Sequence, residues 1–179
     1  MKYLKNEQKM KGAGMSTGES KWNDKSIRGD LHLWIHDTKK YENECPNMVK
    51  LLNKINQLKE ELNENCQFNS QKVQMQVTCY PGNNSRYVKH LDSKKGGPDR
   101  RITCLYYCNP NWVKEHGGEL RIYPDSSSDL NNNEGDKNDS SFVDVPPLCD
   151  RLLIFQSRRL VHEVLETKED RFAITSWFY

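Results

Sequence analysis

Residues 73–92 contain the clearest strand pattern in the chain. They begin with Val73-Gln-Met-Gln-Val-Thr-Cys-Tyr80, continue with Pro81-Gly-Asn-Asn84 and end, after two further residues, with Tyr87-Val-Lys-His-Leu-Asp92. The first and last parts of this stretch are rich in β-branched and aromatic residues, which favour strands. Between them, a proline, a glycine and two asparagines form a strong turn signal. The stretch therefore predicts two consecutive β-strands joined by a turn.

The same pattern continues to the end of the chain. Further short β-rich runs, separated by turn signals, cover residues 102–108, 119–123, 152–155, 160–165 and 172–179. Upstream, Leu31, Leu33 and Ile35 alternate with other residues, which is the period of a strand. Many short strands at close spacing predict an all-β sandwich or barrel.

Residues 46–62 have a different period. Pro46 stands near the start, and apolar residues recur at steps of three and four, namely Met48, Leu51, Leu52, Ile55, Leu58 and Leu62. This pattern predicts an amphipathic helix that packs on the sheet, with a partner-binding helix as the alternative. The predicted fold class is therefore mainly β with a supporting helix, of the jelly-roll type.

Length and composition exclude several classes of protein. The 179 residues correspond to about one domain, and the net charge of +2 gives no strong field toward nucleic acid or membranes. No run approaches the roughly 18 apolar residues of a membrane helix. The first 20 residues have no apolar centre, which argues against a secretory signal. The six cysteines lack a tight framework and are expected to be free thiols of a cytoplasmic or nuclear protein.

Two segments have the composition of unpacked chain. Residues 1–25 are polar and lack periodicity, so they are expected to be a disordered or loosely packed lead-in. Residues 125–141 are acidic, polar and of low complexity, which predicts a flexible insertion. The domain is therefore expected to comprise residues 26–179.

The candidate chemistry begins with His90 and Asp92. If residues 87–92 form one strand, these side chains point to the same face, about 6.6 Å apart along it. His162, in another β-rich run, offers a third ligand. Two histidines and one carboxylate on one side of a metal leave open positions, as in non-haem Fe(II) oxygenases. A surface His–Asp pair on an edge strand is the alternative.

Two further residues suit an anionic ligand. Arg171 begins a predicted strand whose face it shares with Ala173, Thr175 and Trp177. A buried guanidinium needs an anionic partner, and its planar fork fits a carboxylate. The phenol of Tyr107 could complete such a clamp. Taken singly, Arg171 could instead form an internal salt bridge and Tyr107 could be an ordinary core aromatic.

The segment Cys79-Tyr-Pro-Gly-Asn-Asn-Ser-Arg-Tyr-Val-Lys-His-Leu-Asp92 closely resembles a characteristic segment of the hypoxia-inducible-factor prolyl hydroxylases, which are Fe(II)- and 2-oxoglutarate-dependent dioxygenases. Collinear matches follow at Ile27-Arg-Gly-Asp30, Thr103-Cys-Leu-Tyr-Tyr107, Gly117-Gly-Glu-Leu-Arg-Ile122 and Arg171-Phe-Ala-Ile-Thr-Ser-Trp177. The resemblance covers about residues 26–179. It implies a double-stranded β-helix, or jelly-roll, oxygenase core.

By matched position, the resemblance implies a role for each candidate. His90, Asp92 and His162 would bind Fe(II). Arg171 would pair with the distal carboxylate of 2-oxoglutarate. The residues beside or around that cosubstrate would be Tyr107, Tyr80, Thr175, Trp177, Leu120 and Val164. Arg28 and Arg100 fall where the family recognises its protein substrate.

The implied activity is hydroxylation at C4 of a proline, with 2-oxoglutarate and dioxygen as cosubstrates and ascorbate as a candidate reductant. Family substrates are degradation segments of hypoxia-inducible factor α with a Leu-x-x-Leu-Ala-Pro pattern, and the reaction serves oxygen sensing. A monomer that binds neither nucleic acid nor membranes is expected. Alternatives are hydroxylation of a ubiquitin-ligase adaptor or translation protein, or a catalytically silent module that binds proline segments.

Overall fold

A computed structural model describes residues 1–13, 15–17, 20–22, 24, 26–124 and 141–179. The helices in this part are α1 (Lys2–Asn6), α2 (Pro46–Cys66) and two 3-10 turns at Thr38–Tyr41 and Lys114–His116. The strands are β1 (Lys11–Gly12), β2 (Met15–Thr17), β3 (Ser20–Trp22), β4 (Leu31–Ile35), β5 (Val73–Tyr80), β6 (Ser85–His90), β7 (Ile102–Tyr107), β8 (Leu120–Tyr123), β9 (Val143–Val145), β10 (Leu152–Gln156), β11 (Val161–Thr167) and β12 (Arg171–Phe178). None of the described helices is long and apolar enough to cross a membrane.

Two antiparallel sheets make up the body of the molecule. The larger has the order β1-β4-β5-β12-β7-β10, the smaller has the order β6-β11-β8-β9, and β2 pairs with β3 in a separate hairpin. Since α2 packs on the larger sheet, the predicted mainly β class with a supporting helix is confirmed.

Strand β12 separates the two interiors of the protein. Phe172, Ile174 and Phe178 are buried on its helix-facing side, in one cluster with residues of α2. The alternate residues Arg171, Thr175 and Trp177 line a cavity on the other side. This follows from strand geometry, because successive side chains point to opposite faces. The mixed apolar and polar sequence of β12 therefore supplies both the core and the cavity wall.

Helix α2 runs four residues beyond the predicted end at residue 62. Its buried residues are Met48, Val49, Leu52 and Ile55, and three of these belong to the main apolar cluster. Each such burial contributes about 1.5–3 kcal/mol. Residues 63–66 lack the apolar spacing that marked the rest of the helix. The helix ends where Gln67 adopts a left-handed conformation with φ 50°.

The described part of residues 1–25 differs from the loosely packed segment expected there. Leu4 of α1 is fully buried in the main cluster, and the Lys5 Nζ lies 2.6 Å from a carboxylate oxygen of Asp170. Strand β1 pairs with β4, with Lys11 opposite His32. The apolar residues of this segment are too few to form a helix-like or strand-like repeat. Burial of single residues such as Leu4 therefore could not be predicted from a sequence pattern. The predicted insertion, apart from Ser141, lies outside the described residues.

Candidate active site

The pairing of β6 with β11 brings His90, Asp92 and His162 together. His90 is the register partner of His162, and one potential ligand atom from each of the three residues lies within 4.8 Å of the others. The Nε2 atoms of His90 and His162 lie 3.6 and 3.8 Å from Asp92 Oδ1. One detail of the prediction is wrong. Strand β6 ends at His90, so Asp92 lies beyond the strand and not on the same strand face.

The backbone fixes the tautomer of both imidazoles. Each Nδ1 lies within hydrogen-bond distance of a carbonyl oxygen two residues earlier, 2.7 Å for His90 to Val88 and 2.9 Å for His162 to Leu160. Because a carbonyl only accepts, each Nδ1 carries the hydrogen and donates it, and each Nε2 lone pair is free. Burial, reinforced by His90, lowers the pKa of His162 to about 4, which keeps that ring neutral near pH 7.

Asp92 is held as a carboxylate with one oxygen available. The Thr103 hydroxyl donates to Oδ2 at 2.7 Å, and the Trp177 indole Nε1 donates to the same atom at 3.1 Å. Burial raises the pKa of Asp92, whereas the two nearby imidazoles, when they are protonated, and the Thr103 hydroxyl lower it, and the pKa lies below its usual range. Two imidazoles and one carboxylate are a ligand set for a divalent transition metal.

A second feature lies deeper in the cavity. Arg171 is 2% exposed, and its Nε donates to the Gly118 carbonyl at 2.6 Å. Gly118 allows this approach, since its φ is +78° and a Cβ there would lie 2.9 Å from Arg171 Cδ. Among the described residues, neither Arg171 Nη2 nor the buried Tyr107 hydroxyl has a hydrogen-bond partner.

Unpartnered buried donors of this kind are costly unless a ligand completes them. The Arg171 guanidinium carbon lies 5.0 and 5.2 Å from the ring centroids of Tyr107 and Tyr80. Within the described residues no carboxylate forms an ion pair with Arg171, so the internal salt bridge considered above is not observed. The pair of orphaned donors fits a carboxylate that enters from outside.

The remaining predicted residues surround the same cavity. Its lining includes Tyr80, Leu120, Val164, Thr175, Trp177, Arg28 and Arg100. Tyr107 is the predicted residue that does not line the cavity, although its ring centroid lies 5.0 Å from the Arg171 guanidinium carbon. The Arg100 guanidinium carbon lies 3.9 Å from the Trp177 ring centroid. The Trp177 indole therefore contacts both Arg100, a candidate substrate-binding residue, and Asp92, a candidate metal ligand.

Sequence reasoning missed three residues that contact the candidate ligands. Thr103 bonds Asp92, Phe155 lies edge-on to His162 with ring centroids 5.1 Å apart, and Tyr87 stacks on His90 at 3.7 Å. Thr103 and Tyr107 are four residues apart in one predicted strand and share its face, which was a usable sequence signal for Thr103. Regular alternation places residues three apart on opposite faces, so no signal pointed to the stack of Tyr87 on His90.

The fold and the cavity define a class of protein. A model of the 2OG-Fe(II) oxygenase superfamily matches residues 75–179, which contain every cavity residue named above except Arg28. The chain belongs to this superfamily, whose members use Fe(II) and 2-oxoglutarate.

Particular relatives narrow the comparison. Prolyl hydroxylase EGLN3 of Homo sapiens is 37% identical over 171 residues, which are 93% of this chain and 64% of that protein. The hypoxia-inducible factor prolyl hydroxylase of Caenorhabditis elegans is 44% identical over 105 residues, 57% of this chain and 13% of that protein. The chain thus spans less than two thirds of the length of these curated relatives.

A solved structure shows the same fold. The prolyl hydroxylase from Trichoplax adhaerens, in complex with a hypoxia-inducible factor oxygen degradation domain peptide fragment, is 30% identical to this chain with a TM-score of 0.77. The match covers 99% of this chain and 73% of that one. The predicted jelly-roll oxygenase core and the resemblance to these prolyl hydroxylases are confirmed.

Proposed function

We propose that this chain is an Fe(II)- and 2-oxoglutarate-dependent prolyl 4-hydroxylase that acts on the degradation segment of hypoxia-inducible factor α in oxygen sensing. One observation carries the proposal. A His–Asp–His ligand set and Arg171, whose Nη2 is unpartnered among the described residues, line one cavity, and the unpartnered hydroxyl belongs to Tyr107, whose ring centroid lies 5.0 Å from the Arg171 guanidinium carbon.

In this proposal His90, Asp92 and His162 hold Fe(II) through two Nε2 atoms and a carboxylate oxygen. Arg171, assisted by Tyr107, pairs with a carboxylate of 2-oxoglutarate and fixes its position. The surrounding wall includes Tyr80, Thr175, Trp177, Leu120 and Val164. When bound, Fe(II) and 2-oxoglutarate supply the oxidative chemistry with dioxygen that amino-acid side chains lack. The protein contributes ligand geometry, cosubstrate anchoring and exclusion of water.

The substrate assignment rests on Arg28 and Arg100, which line the cavity beside the candidate metal ligands. Arg28 bonds Asp30 through Nε and Nη2, and the remaining guanidinium N–H groups of Arg28 and Arg100 suit the backbone carbonyls of a proline segment with the Leu-x-x-Leu-Ala-Pro pattern. Two of the relatives named above are called hypoxia-inducible factor prolyl hydroxylase or were solved with a peptide of that factor. A monomer acting in the cytoplasm or nucleus fits such a substrate.

Mass spectrometry of a Leu-x-x-Leu-Ala-Pro peptide tests the proposal. The peptide is incubated in air with the protein, Fe(II) and 2-oxoglutarate. We expect one oxygen on the proline with wild-type protein and none with His162→Ala. The exposed His36 supplies a matched control, His36→Ala, which should retain the activity.

Two outcomes would contradict the proposal in different ways. Succinate formation without peptide oxidation, lost in His162→Ala, would keep the chemistry and reject the substrate. Neither product, from folded protein, would favour a silent module that binds proline segments.

A further inference from the structure

The ring of Tyr87 has no role in the chemistry proposed above, yet it covers a candidate metal ligand. We propose that Tyr87 is a positioning residue that fixes the His90 imidazole for metal binding, and that Arg28 and Asp30 hold Tyr87 in turn. This inference rests on the metal-binding part of the proposed function and not on the identity of the substrate.

His90 needs such a restraint. Its Nδ1–H donates to the Val88 carbonyl at 2.7 Å, and a single hydrogen bond leaves the ring able to tilt about that bond. The ring of Tyr87 lies parallel to it, with centroids 3.7 Å apart and an angle of 18° between the planes. His162 lies 4.3 Å away by ring centroids. Contact with both rings limits the tilt and keeps Nε2 directed toward Asp92.

The backbone has an irregularity that makes this stack possible. His90 pairs with His162, but Tyr87 pairs with Val164, so three steps along β6 match two steps along β11. Such a β-bulge returns residues three apart to the same face, where regular alternation would separate them. Bulges next to active sites redirect side chains in this way.

Arg28 anchors Tyr87 from a neighbouring segment. The backbone of residues 27–29 runs beside β6, with the Val88 N–H donating to Ile27 O at 3.0 Å and the Gly29 N–H donating to Arg86 O at 2.9 Å. The Arg28 guanidinium carbon lies 4.8 Å from the Tyr87 ring centroid, within the range of a cation–π contact.

Asp30 completes the chain of contacts. Its side chain is fully buried and accepts two bonds from Arg28, at 2.5 Å from Nε and 2.9 Å from Nη2. This bidentate pair fixes the plane of the guanidinium and therefore its place over Tyr87. Asp30 thus holds Arg28, Arg28 contacts the Tyr87 ring, and that ring stacks on His90.

Cobalt(II) binding measures the proposed role without turnover. Apoprotein is titrated with Co²⁺ under nitrogen, and affinity and visible d–d bands are recorded. Loss of an outer-shell partner typically weakens metal affinity about 10–100-fold, so we expect that loss and altered bands for Tyr87→Ala. Tyr87→Phe, which keeps the flat ring, should restore both. Asp30→Asn should weaken binding less than Tyr87→Ala.

Tyr106→Ala is the matched control, because Tyr106 bonds Asp150 and does not line the cavity. It should bind Co²⁺ like wild type. If Tyr87→Ala does not fold, Tyr87→Leu removes the flat ring while keeping apolar volume. Wild-type affinity and bands in the folded Ala or Leu variant would overturn the proposal, as would a Phe variant as weak as Ala. The expected cobalt pattern without peptide hydroxylation would support positioning and reject only the proposed substrate.

Discussion

At the residue scale, the two charged groups Asp92 and Arg171 have opposite surroundings in the cavity. Asp92 accepts hydrogen bonds from Thr103 and Trp177 on Oδ2, and its Oδ1 faces the Nε2 atoms of His90 and His162. Arg171 donates from Nε to the Gly118 carbonyl, and its Nη2 has no hydrogen-bond partner among the described residues. The carboxylate is thus arranged to bind a cation, whereas the guanidinium is arranged to bind an anion.

Arg171→Lys keeps the positive charge and removes the planar fork. A hydrogen bond to a charged group contributes about 1.5–3 kcal/mol, so we expect 2-oxoglutarate to bind about 10–100-fold more weakly. Calorimetry with Mn²⁺-loaded protein measures this change. Arg159 is exposed, and Arg159→Lys should leave the 2-oxoglutarate affinity unchanged. Undiminished 2-oxoglutarate affinity in Arg171→Lys would exclude Arg171 as the anchor.

Thr103→Val removes the donor nearest to Asp92 and keeps the side-chain volume. Asp92 then loses one of two bonds that orient its carboxylate, and we expect metal affinity to fall about tenfold. Equilibrium binding of Mn²⁺, with the melting temperature recorded alongside, checks this. Because Thr103 also contacts the Ser157 hydroxyl, the variant is compared with Ser157→Ala, which should bind metal normally. Equal losses in both variants would point to general loosening of the region.

At the element scale, β12 and α2 show which parts of the fold are encoded locally. The apolar period of residues 46–62 and the alternation in β12 are repeated patterns, so both elements were predictable. The bulge in β6 was not, because it depends on how β11 pairs with that strand. For the same reason, the sequence indicated the ligands His90 and Asp92 but not the ring of Tyr87 beside them.

Leu52→Ala tests whether α2 is part of the core. Leu52 is fully buried against the larger sheet, and removing a buried leucine typically costs about 2–5 kcal/mol of unfolding free energy. Urea denaturation measures it. On β10, Leu152 is 40% exposed, and Leu152→Ala should change stability by about 0.5 kcal/mol or less. Similar values for both substitutions would contradict the placement of α2.

At the scale of the whole molecule, the six-stranded sheet has two uses. One face forms the core with α2 and residues of the N-terminal segment, and the other faces the smaller sheet across the cavity. The N-terminal contribution was not predictable, since Leu4 and Met10 are isolated anchors in polar sequence. The cavity was largely predictable, because its ligands lie in short motifs and its wall follows the alternation of β5, β7 and β12.

Cysteine reactivity reports on this arrangement. Burial raises the pKa of the Cys79, Cys104 and Cys108 thiols to about 12, which leaves almost no reactive thiolate at pH 7. Cys66 and Cys149 are exposed. We expect iodoacetamide to label these two first in native protein and all six in urea, as counted by peptide mass spectrometry. Rapid native labelling of Cys79 or Cys104 would contradict the described packing.

Peptide oxidation under ¹⁸O₂ tests the central claim most directly, that the His90–Asp92–His162 site hydroxylates proline with dioxygen. The wild-type protein is incubated with Fe(II), 2-oxoglutarate and a Leu-x-x-Leu-Ala-Pro peptide. We expect one ¹⁸O atom on the proline and one in succinate, and neither product with Asp92→Ala. If neither the peptide nor succinate contains ¹⁸O after incubation with folded, iron-loaded protein, the claim is contradicted.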